Sequence, residues 1–340
     1  MTFAAYKPFS YRLLLFFNYW LLFVNNVNAQ YPIRQIVING HCCIIDSNSS
    51  FEKIILSKHL ELPRTNDNEQ LVHHLAYTLS YNETHEQANW VAYELTKAET
   101  AKQVNRSNNF EPDPLVETGS ANNQDYIHSG YDRGHLAPAA DMAWSTQSMQ
   151  ESFYYSNMSP QNPSFNRGIW KHLEEQVRNW AIEYNTVYVV TGPVLKQGLY
   201  TIGPNRVSIP EAYYKVLLRI NPTKHELNGI GFILPNEGSK ASINSFAVSI
   251  DHVEKLTGIN FFDKLPDALE NELEVNTCLP CWNLNSADSN EKSTFENNKR
   301  HNMNQHPGLQ GEKVQCAGIT QKGLRCKRTT TNANGRCFQH

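Results

Sequence analysis

Neither sign of charge is in excess: the 340 residues hold 30 Lys and Arg against 33 Asp and Glu, a formal net charge of −3. That balance excludes a protein that coats nucleic acid by bulk charge, so any such binding must rest on a local site. Past residue 30 the chain has no apolar run long enough to cross a membrane. It has no internal repeat, which excludes solenoids and propellers. Strand-like and helix-like segments do not alternate regularly, which argues against a doubly wound parallel sheet. Apolar residues are not scarce. At 40% hydrophobic and 11% aromatic the chain can bury a core, and wholesale disorder is excluded.

The length suits about two domains, or one large domain with appendages. Lys7 and Arg12 precede an apolar stretch, Leu13 to Val24, broken only by Asn18, and Val27-Asn28-Ala29 follows. This reads as a signal peptide over residues 1–29, which places the mature chain in the secreted or periplasmic space with no span left in it; an uncleaved N-terminal anchor is the other reading, and both take the chain out of the cytoplasm. Residues 30–60 form an N-terminal extension without a clear period. A globular α+β body occupies 61–282. Strand composition marks Trp90–Leu95, Thr186–Thr191, Tyr213–Ile220 and Ile230–Leu234. Apolar spacing predicts a helix from Asn166 to about Tyr184, and shorter helices fit 146–152 and 251–257. Residues 283–314, rich in Asn, Ser, Lys, Glu and His, read as a solvated linker to a small module at 315–340.

The most informative run is Asp132-Arg133-Gly134-His135-Leu136-Ala137-Pro138. An imidazole can deprotonate water near neutral pH. A guanidinium offers a planar fork to phosphate. A satisfied His beside an Asp–Arg pair is the plain alternative, and with 13 His in the chain most must be of that kind. A second run reads Asn157-Met158-Ser159-Pro160-Gln161, then Asn166-Arg167-Gly168-Ile169-Trp170, Glu174 and Arg178. With Asn166 opening the helix, Asn166, Trp170, Glu174 and Arg178 share one face. An amide oxygen, a carboxylate and a guanidinium then stand in a row. The amide oxygen suits Mg²⁺, the carboxylate can hold its waters, and the guanidinium can steady phosphate charge. An amphipathic helix with an Asn cap and a Glu–Arg pair is the alternative.

Together the two runs resemble the DNA/RNA non-specific endonuclease family, which includes endonuclease G and the secreted sugar-nonspecific nucleases. The resemblance rests on D-R-G-H at 132–135, N-x-x-P-Q at 157–161 and N-x-G-x-W-x-x-L-E at 166–174, and extends from about Tyr77 to Phe262. It implies an α+β fold with a ββα-metal (His-Me finger) core on a mainly antiparallel sheet. It implies His135 as general base and Asn166 as direct ligand of one Mg²⁺ (or Mn²⁺) that otherwise keeps its waters. Glu174 would orient those waters, Arg133 and Arg178 would stabilise phosphate charge, and Asn157 and Gln161 would support the geometry. Arg106 matches a further phosphate-contacting arginine only through a weak local motif. The implied activity is cleavage of DNA and RNA to 5′-phosphate products. A degenerate nuclease that binds nucleic acid without cutting is the other reading. A homodimer fits the resemblance, which names no inhibitor partner.

Seven Cys, at 42, 43, 278, 281, 316, 326 and 337, cannot all pair internally. Cys316, Cys326, Cys337 and His340 make a tetrahedral Zn²⁺ set by ligand number, whereas export favours disulfide chemistry, and disorder is the third reading. The tail carries five basic residues and no acidic one. For the other four Cys, arithmetic suggests two bridges joining Cys42 and Cys43 to Cys278 and Cys281.

Overall fold

The segments rich in Val, Tyr and Leu form strands, as their composition directs. The computed structural model describes residues 34–45, 48–66, 69–284, 314–315 and 329–330. In chain order, strands β1 (Arg34–Ile38) and β2 (His41–Ile45) lead into helix α1 (Asn48–Leu56). Next come β3 (Gln70–His73), β4 (Thr78–Asn82) and β5 (Gln87–Thr96), then α2 (Asn123–Tyr126) and β6 (Asp132–His135). Helix α3 (Thr146–Glu151), β7 (Met158–Gln161), α4 (Pro163–Phe165) and α5 (Lys171–Tyr184) follow. The remainder is β8 (Thr186–Pro193), β9 (Thr201–Ile202), β10 (Val207–Ser208), β11 (Ala212–Asn221), β12 (Glu226–Pro235), β13 (Ala247–Val248), α6 (Ile250–Thr257) and α7 (Asp267–Val275).

One sheet organises residues 34–284, in the order β2-β1-β12-β11-β8-β5-β4-β3, with β13 sharing the outer edge of β12 with β1. Every pairing in it is antiparallel except β1 with β12. Side chains alternate across a strand, so its two faces carry different cores. Val91, Tyr93, Leu95, Tyr213 and Leu217 meet Leu173, Val177 and Trp180 of α5 on one face. Trp90, Ala92, Tyr214, Val216 and Leu218 meet Ile250 and Val253 of α6 and Leu269 and Leu273 of α7 on the other. Leu136, Ala137, Phe165 and Trp170 also pack on the α5 face. The D-R-G-H and N-x-x-P-Q runs form a separate hairpin, β6–β7, in which His135 opposes Met158 and Asp132 opposes Gln161. Ser159 bonds this hairpin to the main sheet, donating to Gln87 Oε1 at 2.5 Å and lying 2.7 Å from the Tyr213 hydroxyl.

Three expectations change. The stretch read as an extension without period supplies β1, β2 and α1, and β1 joins the main sheet. The Asn39-Gly40 turn explains this: both residues have positive φ, 45° and 79°, as a two-residue hairpin loop requires. Cys278 and Cys281 are bonded to each other, so no bridge joins them to Cys42 or Cys43. Their sulfurs would lie 3.3–3.4 Å from a Cβ on Gly40, so the disulfide packs on that turn without bonding to it. The helical course does not begin at Asn166. It starts after Asn162, whose side chain caps Ser164 N, and passes through a π-type turn over Asn166–Trp170 before α5.

Among the described residues no helix is long and apolar enough to cross a membrane. A separate unit, 287–340, contains the described pair β14 (Val314–Gln315) and β15 (Thr329–Thr330), which is antiparallel. The expected signal peptide, most of the linker and the ligand set Cys316, Cys326, Cys337 and His340 lie outside the described residues.

Candidate active site

Strand β6 sorts its four residues by alternation. Arg133 and His135 turn to one side, where Phe110 and Phe153 meet edge to face at 4.9 Å. The His135 ring lies 4.9 Å from Phe153 and 5.9 Å from Phe110, centroid to centroid. The Arg133 guanidinium sits 4.3 Å over Phe110, and Arg106 sits 4.8 Å over Phe153. Two aromatic rings therefore gather one imidazole and two guanidinium groups. Arg133 is also steadied by donating to Asn123 Oδ1 at 2.9 Å.

His135 is 8% exposed. Burial, and then the charge of Arg106, push its pKa down to about 3, so the ring is neutral. Neither ring nitrogen has a hydrogen-bond partner among the described residues. Nε2 is sealed from solvent, which leaves Nδ1 open to a water. The loop after His135 is clamped by Asn157. Its Oδ1 accepts from Ala137 N at 2.8 Å, and its Nδ2 donates to the carbonyls of Ala137 and Ser152. Gly134 is required by contact: a Cβ there would stand 2.1 Å from the Gln161 side chain. Gln161, fully buried, fills that space.

On the other side of β6, Asp132 accepts Asn166 Nδ2 at 2.9 Å and is gripped by Arg167 at 2.6 and 2.8 Å. This bond fixes the Asn166 amide with its Oδ1 unused. Glu174, eight residues on, is half-buried, and its carboxylate also accepts no hydrogen bond among the described residues. Burial raises its pKa, opposed chiefly by Lys215. Arg178 pairs with Asp141 at 2.7 Å rather than with Glu174, and Tyr93 donates to the same carboxylate at 2.8 Å. Arg106 and Arg178 both line a pocket of about 300 Å³ walled by Ala139, Ala140 and Ala143. The charge of Arg106 acts on both His135 and Glu174, which places the hairpin and α5 around one region.

Of the motif residues, the structure gathers His135, Arg133 and Arg106 about Phe110 and Phe153, ties Asn166 to Asp132, and sets Glu174 and Arg178 near Arg106. Three contributors went unread. Asp141 is fully buried and aims Arg178. The Phe110–Phe153 pair seats His135. Lys215 is fully buried on β11, its Nζ 4.7 Å over Trp170 and without a hydrogen-bond partner. Burial lowers its pKa and Glu174 opposes that shift. Its signal was a single Lys inside the apolar run Tyr213–Leu218. Asp141 gave a similar one, a lone carboxylate among alanines.

A further buried network supports Asn157. His74 Nε2 lies 2.9 Å from Asp113 Oδ2, which also accepts from the hydroxyl of Ser156. Burial pushes the Asp113 carboxyl up, but the bonds from His74 and Ser156 outweigh it and hold its pKa below the ordinary value. A carboxyl so depressed stabilises the fold above its unfolded pKa of about 3.9, and that contribution is lost as pH falls through the folded value. Asp113→Asn therefore lowers stability by roughly 1–3 kcal/mol at pH 7 and by less at pH 3. Urea denaturation at the two pH values checks this, and an equal loss at both would contradict it.

A hairpin carrying a neutral His, followed by a helix carrying amide and carboxylate oxygens, is consistent with a ββα core. The family model for DNA/RNA non-specific endonuclease matches residues 60–268, and the chain belongs to that family. It is 36% identical over 204 residues to "Nuclease EXOG, mitochondrial" of Danio rerio, covering 56% of this chain and 60% of that one. It is 37% identical over 206 residues to "Nuclease C1" of Cunninghamella echinulata var. echinulata, covering 56% and 81%. Among solved structures, that described as "Crystal structure of the EndoG/EndoGI complex: Mechanism of EndoG inhibition" matches with TM-score 0.57 and 30% identity, over 68% of this chain and 97% of that one. The chain spans about 60% of the length of the EXOG relatives it matches.

Proposed function

We propose that this protein is an exported, divalent-metal-dependent endonuclease that hydrolyses phosphodiester bonds of DNA and RNA with little sequence preference. The observation that carries the reading is His135: buried, neutral, open at Nδ1 and ringed by arginines, in a member of a nuclease family.

The residues fit a hydrated Mg²⁺ or Mn²⁺. Asn166 Oδ1 and the Glu174 carboxylate are hard oxygen acceptors left without donors, which suits an ion that keeps most of its waters. Asn166 would bind it directly, and Glu174 would hold its waters. When bound, the ion supplies Lewis-acid stabilisation of the phosphate and leaving oxygen. His135 takes a proton from the attacking water at Nδ1. A diester anion beside the ring favours the imidazolium by the same coulombic route through which Arg106 opposes it. Arg106, Arg133 and Arg178 meet phosphate oxygens, and Asp141 and Phe110 keep two of those guanidinium groups aimed. Asp132 holds the Asn166 amide by its nitrogen, so that the oxygen would be the atom left for the ion.

Export rests on the Lys7–Ala29 segment, and zinc in the tail rests on Cys316, Cys326, Cys337 and His340. Zinc content of the full chain against Cys326→Ser tests the latter; equal content rejects it. The activity is tested on DNA and RNA of matched length. Products with ligatable 5′-phosphate and 3′-hydroxyl ends from both are expected. Products with 3′-phosphate ends, or intact substrate, would overturn the reading.

A further inference from the structure

Helices α6 and α7 pack side by side on the sheet face opposite α5, through Ile250, Val253, Leu269 and Leu273. Where they meet, carboxylates crowd together. Asp251 and Glu254 sit one turn apart on α6, as do Glu270 and Glu274 on α7. One oxygen each from Asp251, Glu254 and Glu274 lies within 4.8 Å of the other two. An acidic cluster alone would say little, but on α7 the carboxylates are not solvated. Glu274 is 6% exposed and Glu270 9%, and the Oε1 of each is buried without a hydrogen-bond partner. Glu254 accepts Phe261 N at 2.8 Å, and Lys255 reaches Asp251 at 3.0 Å from the solvent side.

Buried like charges at this spacing cannot all ionise without a neutralising partner. Either a proton or a cation must enter. Glu254 and Glu274 stand close enough to share a proton, and the same cluster has the spacing to hold a cation. A Ca²⁺-class ion takes oxygen ligands at about 2.3–2.6 Å, so two oxygens bound across it stand up to about 5 Å apart, and the three oxygens here lie within that limit. An all-carboxylate set suits a hard ion, and the half-exposed Asp251 and Glu254 leave room for waters to complete the shell.

We infer that Asp251, Glu254 and Glu274 form a second divalent-cation site, of Ca²⁺ class and separate from the catalytic residues, that ties α6 to α7. Its role is structural and reaches β1 and β2. Asn39, in the β1–β2 turn, donates to the carbonyls of Leu273 and Asn276 and accepts from Gly229 N of β12. A fastened α7 therefore holds the β1–β2 hairpin on the sheet.

The test is Ca²⁺ titration and thermal unfolding of the EDTA-stripped full chain, beside Glu274→Gln and Asn166→Ala. Glu274→Gln keeps the side-chain shape and removes one repelling charge, so it folds. The wild type is expected to bind one Ca²⁺ at this site, and its Tm to rise by roughly 5–10 °C at a hundredfold excess over Kd. Glu274→Gln should lose both, whereas Asn166→Ala keeps both, which separates this site from the catalytic one. A wild type that takes up no Ca²⁺, with Glu274→Gln more stable than it in EDTA, would mean that a shared proton neutralises the cluster and would overturn the inference. So would Ca²⁺ uptake and a Tm shift unchanged in Glu274→Gln.

Discussion

His135→Ala lowers kcat on DNA by about 10²–10⁴-fold, the usual worth of a positioned general base. KM changes little, because Arg106, Arg133 and Arg178 keep their anchors on Phe153, Asn123 and Asp141. The fold survives, since the His135 ring makes no hydrogen bond among the described residues and packs only as one edge of the Phe110–Phe153 cluster. Steady-state kinetics with circular dichroism as the folding control provides the check. A folded variant cutting near the wild-type rate would remove His135 from the chemistry.

Asn166→Ala is expected to cut activity by at least about 100-fold at 1 mM Mg²⁺, and raising Mg²⁺ should recover part of it. Its amide does two things: Nδ2 is tied to Asp132 at 2.9 Å and Oδ1 is left for the ion. Asn166→Asp separates them. It keeps an oxygen ligand but sets a second carboxylate against Asp132, which Arg167 offsets only in part. The aspartate variant should retain metal activation at a reduced rate. The measurement is the Mg²⁺-activation curve of all three proteins, and curves that superimpose would exclude Asn166 as a ligand.

Local chemistry wrote much of this fold into the sequence. Trp90–Leu95, Thr186–Thr191, Tyr213–Ile220 and Ile230–Leu234 all lie within strands, and 146–152 and 251–257 nearly coincide with α3 and α6. The β6–β7 hairpin was legible only as motifs, because four-residue strands carry too little alternation to stand out. Long-range partnership was not legible at all. Asp141 becomes a site residue only because Arg178, 37 residues away, reaches it. Lys215 becomes one only because β11 passes beneath Trp170 and Glu174. Periodicity also misplaced the helix start, which lies at Pro163: Trp170, Leu173 and Val177 keep their spacing, but the turn at Asn166–Trp170 widens, and Gly168 leaves helical geometry at φ −112°, ψ −113°. The Asn39-Gly40 hairpin signal was present and unused, whereas the Cys278–Cys281 pairing could not be read from a count of cysteines.

Cleavage of a closed circular plasmid by the purified protein, in Mg²⁺ and in EDTA, bears most directly on the central claim. A circle has no end, so only an endonuclease opens it. The account predicts nicked, then linear, then fragmented DNA in Mg²⁺, and an intact supercoil in EDTA. An intact plasmid in Mg²⁺ and Mn²⁺, or equal cutting in EDTA, would contradict it.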